Sequence, residues 1–187
     1  REWLGADSFM SGLSLGGSLV SDNVEDYYLS PYDLGYGHIV KFDHDFIGRE
    51  ALEAMQGKPH KHKRTLRWSK EDVIKVFASQ LGDDERMKFM DMPASHYATC
   101  PYDLVTKDGK PAGLSHYPVY TSNVRSWISL ALLDEEVAVP GTEVSLTWGE
   151  PDGGSNKPTV ERHVQTEITC TVEHCPISVT AREDYKK

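Results

Sequence analysis

The feature that most constrains this chain is an alternation of apolar and polar residues through its second half. Val144, Leu146 and Trp148 alternate with Glu143, Ser145 and Thr147, and Val164, Thr166, Ile168, Cys170 and Val172 alternate with Gln165, Glu167, Thr169 and Thr171. A period of two puts successive side chains on opposite faces of a strand, so each run predicts a strand with one buried face. Leu104–Thr106 and Ala112–Tyr120 flank Lys107-Asp-Gly-Lys110, and Asp-Gly between such runs signals a hairpin. Trp127–Leu133 reads as a further apolar strand. Strands of this kind leave costly open edges unless the sheet closes, so an antiparallel β-barrel is expected.

The first half has a different texture. Residues 1–35 read as loop, punctuated by Gly12, Gly16 and Gly17, and Leu34–Phe42 as a short strand. Ile47, Ala51, Leu52 and Met55 recur at helical spacing, with Gly57 as a stop, which predicts a helix over 48–56. Arg64–Trp68 predicts a strand. Ser69 is a good N-cap with Asp72 at the capping-box position, and Val73, Ile74, Val76, Phe77 and Leu81 give the following helix an apolar stripe. Met87, Phe89, Met90 and Met92 are expected to pack. The fold class is therefore α+β: short helices in the N-terminal half, then an antiparallel barrel. A composition shift near Tyr97 divides the chain into residues 1–96 and a barrel domain, 97–187. Ala181–Lys187 reads as a charged, fraying tail.

Charge and cysteine content narrow the setting. The formal net charge is −9, which does not suit a phosphate backbone. The basic stretch Lys58–Arg64 is short and reads as a solvated loop. Cys100, Cys170 and Cys175 are odd in number and form no CxxC, which favours reduced thiols in a cytoplasmic setting. No apolar run reaches the roughly 20 residues of a membrane-spanning helix. The sequence opens on Arg1, which suggests a piece of something longer.

Chemistry-bearing motifs are scarce. Ser11-Gly-Leu-Ser-Leu-Gly-Gly17 does not run from a strand into a helix, so its glycines are expected to allow tight turns or close backbone approach, not phosphate binding. His60 and His62 lack a third ligand, and no metal is expected. His116, beside Tyr117 and Tyr120 in a strand, reads more readily as packing than as a general base. Asp22, Glu25 and Asp26 beside Tyr27 and Tyr28 read as a solvated acidic loop, or as a rim offering acceptors and ring faces to an organic ligand. The Glu150–Pro158 stretch reads as a polar surface loop.

One segment says more. Leu34, Gly35, Gly37, Val40, Lys41, Asp45-Phe-Ile-Gly-Arg-Glu50 and Leu52 resemble a conserved-looking block of the glycine-cleavage T-protein superfamily, with Ser30-Pro31 just upstream. Lys110-Pro-Ala-Gly113, Tyr120-Thr-Ser122, Ser126–Leu132 and Pro140-Gly-Thr142 resemble that superfamily's C-terminal barrel. Gly16-Gly-Ser-Leu-Val-Ser-Asp-Asn-Val-Glu-Asp-Tyr-Tyr28 departs from the aminomethyltransferase pattern: Ser14 or Met10 stands where those proteins carry a ligand-binding arginine. It looks instead like the tetrahydrofolate-dependent vanillate and syringate O-demethylases.

This resemblance implies the C-terminal portion of an enzyme that moves a methyl group from an aromatic methyl ether to tetrahydrofolate. Its partners would be that small-molecule ether and the N-terminal remainder of the same protein. Nucleic acid and membrane are not expected. Catalytic residues would lie in the N-terminal remainder, leaving this piece inactive alone. Residues 1–96 would end the folate-binding region. Tyr27, Tyr28 and Tyr36 would offer ring faces to a pterin or aromatic acid, with His116 and Tyr120 next, and Tyr185 loosely matches a ligand-contacting tyrosine near the C-terminus. The Phe46-Ile-Gly-Arg-Glu50 motif reads as structural. An aminomethyltransferase fragment and a non-catalytic folate-binding module remain as alternatives.

Overall fold

The computed structural model describes residues 14–184. The chain forms β1 (Leu15–Gly16), α1 (Arg49–Met55), β2 (His62–Trp68), α2 (Lys70–Ala78), β3 (Cys100–Lys107), β4 (Lys110–Thr121), β5 (Ser126–Leu133), β6 (Glu143–Trp148), β7 (Thr166–Glu173) and α3 (Val179–Glu183). Among the described residues no helix is long and apolar enough to cross a membrane. The strands run β1-β3-β4-β5-β2-β7-β6, and β6 pairs back onto β3, closing an antiparallel barrel. β2, which precedes Tyr97 in sequence, sits between β5 and β7.

Local chemistry explains the pieces. Asp108 and Gly109 both take positive φ in the β3–β4 turn, the backbone that a two-residue hairpin loop requires. On β6 the buried positions are Val144, Leu146 and Trp148, and on β7 they are Thr166, Ile168, Cys170 and Val172, as the alternation predicts; Val164, expected on the same buried face, is exposed and lies ahead of β7 in an isolated bridge to Met87. Inside the barrel the Trp68 ring meets Trp148 edge-on at 5.5 Å and Trp127 at 6.0 Å. Their polar atoms are satisfied where that decides stability: Trp68 donates to Ser129 Oγ at 3.0 Å and Trp148 to the Lys88 carbonyl at 2.8 Å. All three cysteines are free, with Cys170 in the core.

α2 is anchored at its start. The Asp72 backbone N–H donates to Ser69 Oγ, as an N-cap requires, but the Asp72 carboxylate does not complete a capping box. It accepts instead from the Thr169 backbone at 2.8 Å, fastening the helix to β7. The apolar stripe is narrower than its sequence suggests: Val76 is buried and Val73 and Phe77 pack on the core, while Ile74 and Leu81 face outward. Phe89 and Met92 are also exposed, leaving Met87 and Met90 to pack as expected.

Residues 34–42 do not form a strand. Leu34, Gly35 and Tyr36 donate backbone hydrogen bonds to Ser30, Tyr32 and Pro31, and a 3-10 turn follows at Gly37–Ile39. A strand needs a neighbouring edge, and here the backbone satisfies itself locally. The next segment follows the sequence expectation. Gly48 takes φ +90° as the N-cap of α1, Glu50 lies in its first turn, and Gly57 at φ +74° follows its end. Arg49 binds Glu53 at 3.0 Å and Asp45 at 3.1 Å. The chain's end is not wholly frayed, since α3 is formed and Ser178 caps it.

Candidate functional site

The barrel closes least completely between β3 and β6, where only Val105–Leu146 and Thr106–Ser145 pair. The segment ahead of residue 20 fills the splayed part of that seam. β1 runs parallel to β3, pairing Leu15 with Cys100 and Gly16 with Pro101. Ser18 Oγ then donates to the Thr147 carbonyl at 2.6 Å and accepts from the Leu104 N–H at 2.8 Å, so one hydroxyl bridges both strands. Gly17 makes this possible: at φ +93°, an added Cβ would lie 2.2 Å from the Tyr102 carbonyl oxygen. The expected close backbone approach of the glycine-rich segment is realised here.

Behind the seam lies a buried ionic cluster. Lys88 is almost fully enclosed, with Nζ 2.6 Å from Glu150 Oε1, 4.9 Å from the Trp148 ring centre and 5.0 Å from that of Tyr97. Two aromatic faces and a carboxylate together offset the cost of burying an ammonium. Glu150 Oε1 also accepts from the Gly17 backbone at 3.2 Å. Its other oxygen faces His163 Nε2 at 3.1 Å. His163 Nδ1 lies 3.1 Å from the Glu161 carbonyl, which can only accept, so Nδ1 carries a proton. With Nε2 bare, the ring accepts the Glu150 backbone N–H at 3.3 Å and leaves Glu150 Oε2 without a donor. Asp103 completes the cluster: burial raises its carboxyl to about 7, against the pull of Lys88 and the Ser18 N–H.

The outer surface of this cluster is a cleft of about 500 Å³ lined by Leu15, Gly17, Leu19, Tyr27, Glu150 and Asn156, among others. It is mostly apolar, with two carboxylate residues, Glu150 and Asp152, and the Asn156 amide at its wall, the character of a small-molecule site. Glu150 is thus no surface-loop residue. It is the point where the buried charges reach the cleft, since its partners come from three distant stretches of chain.

Of the residues singled out in the sequence, Tyr27 lies in this cleft. Its hydroxyl accepts the Ser21 N–H at 2.7 Å, and its ring stacks on Tyr102 at 6.5 Å. His116 reaches the same Tyr102 ring from 5.2 Å, so Tyr102 links the two. Burial holds the His116 imidazole below its ordinary value, countered by the Pro101 carbonyl at Nδ1. The other three lie apart. Tyr28 is exposed, and Tyr36 lines a separate depression, with Lys63 Nζ 4.7 Å from its ring centre. Tyr120 lines an apolar depression beside α2, between Trp68 and Trp127. Tyr185 lies outside the described residues. Lys88, Asp103, Glu150 and His163 were not singled out. The one hint was Lys88 itself, a charge among Met87, Phe89 and Met90. Among the described residues no group of His, Cys, Asp and Glu could hold a metal ion.

No protein-family model matches the sequence. The chain is 49% identical over 185 residues to a syringate O-demethylase of Sphingobium sp. (strain NBRC 103272 / SYK-6), a match covering 99% of this chain and 40% of that protein. It is 34% identical over 142 residues to a sesamin methylene transferase of Sinomonas sp. (strain No.22), covering 71% of this chain and 31% of that protein. The chain therefore spans well under half the length of the curated relatives it matches. With the closed antiparallel barrel and the Asp45–Leu52 motif alongside, the chain is homologous to part of a syringate O-demethylase and part of a sesamin methylene transferase, and fits a C-terminal portion of their family.

Proposed function

We propose that the protein to which this chain belongs moves a methyl group from an aromatic methyl ether of the vanillate or syringate type to tetrahydrofolate, in the cytoplasm. The observation that carries this reading is the 49% identity to a syringate O-demethylase, sustained over 185 residues. In this reading residues 1–96 end the folate-binding region and lend β2 and α2 to the barrel of residues 97–187.

The cleft fits such a role as one wall. Its volume of about 500 Å³ lies in the range of small-molecule sites. Leu15, Leu19 and Tyr27 beside the Asp152 carboxylate suit a flat heterocycle that is apolar on its faces and polar along one edge. Bound tetrahydrofolate would supply the nucleophilic nitrogen that accepts the methyl group. The O–CH₃ bond breaks as the phenolic oxygen takes a proton, so alignment and general-acid assistance dominate the barrier. This chain contributes alignment: Gly17 and Lys88 fix Glu150, and Tyr102 backs the Tyr27 ring. The proton donor belongs to the remainder of the protein.

The test is tetrahydrofolate-dependent loss of methyl from vanillate, syringate and related ethers by the full-length protein, with methyl-tetrahydrofolate measured as product. Formation of the demethylated phenol together with methyl-tetrahydrofolate supports the reading. No turnover on any aryl ether rejects it. An aryl methylenedioxy substrate belongs in the same assay because of the 34% identity to a sesamin methylene transferase. The 187-residue chain alone is expected to show no turnover.

A further inference from the structure

No residue from Leu19 to Arg64 is buried, although this stretch holds Leu29, Leu34, Ile39, Val40, Phe46, Ile47 and Leu52. Single exposed apolar side chains are ordinary, but a contiguous group is not. Here they are contiguous. Tyr36, Ile39, Val40, Phe46 and Leu52 line one open depression of about 370 Å³, with Lys41 and His44 at its rim. Ile47 next to it is wholly exposed, and Ile39 is 63% exposed. α1 buries none of its residues. A helix of 7 residues is too short to be stable by itself in water, so its apolar side needs a partner.

We propose that this face, centred on Ile39, Phe46 and Ile47, is where the remainder of the longer polypeptide packs against the barrel portion. The inference rests on the reading of the chain as part of a longer enzyme. Two observations select this occupant. The match to the syringate O-demethylase runs through this face and covers 99% of the chain but 40% of the relative, so the same residues there belong to a polypeptide with much more chain to pack. The face also follows directly in sequence from a segment already docked on the barrel portion: Leu19, Tyr27, Leu29 and Leu34 pack against Tyr102, Leu114 and Leu132, so the apolar side chains left over beyond Leu34 need a partner from outside the 187 residues.

The experiment compares the full-length protein with the 187-residue chain, each with and without the double substitution Ile39→Asp and Ile47→Asp. In the 187-residue chain the substitutions fall on exposed positions and should leave the melting temperature unchanged. In the full-length protein they should lower it by several degrees. Should the full-length variant fail to fold, amide hydrogen exchange on the unsubstituted proteins gives the answer, with residues 39–55 exchanging at least tenfold more slowly in the full-length protein. Equal exchange in the two, or an unchanged full-length melting temperature, overturns the proposal. So does a 187-residue chain that dimerises and is made monomeric by the substitutions, since a second copy would then be the occupant. None of these readouts uses demethylation, so the docking face and the proposed activity can fail separately.

Discussion

The barrel and the stretch from Leu19 to Lys61 carry similar apolar residues and use them in opposite ways. The barrel turns Leu66, Val105, Leu146 and Val172 into a core with no accessible surface. The earlier stretch keeps Ile39 and Ile47 on the outside and holds its shape through local hydrogen bonds and the Arg49 ion pairs. The difference lies in closure. A sheet that meets itself supplies every strand with a neighbour and every inward side chain with an opposite wall, whereas a run of turns and a short helix supplies neither.

The sharpest way to break the comparison is to damage the barrel side. Lys88→Met should destabilise the chain by about 3–5 kcal/mol, because it strands the buried Glu150 carboxylate, as urea unfolding would read. The Asp103 carboxyl gives the next effect. Its folded value of about 7 lies above the ordinary unfolded value of about 3.9. The folded state therefore binds the proton more tightly, and this group's contribution is most favourable below pH 4. It is lost as the pH rises from about 4 to 7. Asp103→Asn should flatten the pH dependence of stability over that interval, and an unchanged profile would remove Asp103 as its source. Ser18→Ala should cost about 1–3 kcal/mol, since the Leu104 N–H and Thr147 carbonyl would lose their shared partner. On the other side, Gly48→Val should cost about 1–2 kcal/mol through the positive φ alone, because open space surrounds the position. A loss as large as that of Lys88→Met would mean the stretch is as tightly coupled as the core.

Legibility in the sequence follows the same divide. β6, β7 and the β3–β4 turn could be read because period-two alternation and an Asp-Gly pair are local signals. The Ser69 cap could be read for the same reason. The stretch 34–42 resembled a strand because β-prone residues crowd it, and only the absence of a neighbouring edge decided otherwise. The ionic cluster was illegible for a different reason. Lys88 and Glu150 are 62 positions apart in sequence, and only the tertiary fold brings them together. Tyr27 lines the cleft. Tyr28, only one residue further on, points to solvent, which residue type does not reveal.

The bridging hydroxyl of Ser18 has a consequence for solubility. Where β3 and β6 part, each strand carries backbone groups that a closed cylinder would otherwise pair. Ser18 occupies one such pair, the Leu104 N–H and the Thr147 carbonyl, and the Leu19 N–H takes the Tyr102 carbonyl. Without this stopper, two unsatisfied ribbons would lie open as templates for strand addition by another chain. A single small hydroxyl, held in place by the glycine before it, thus helps guard the protein against joining edge to edge with its own copies.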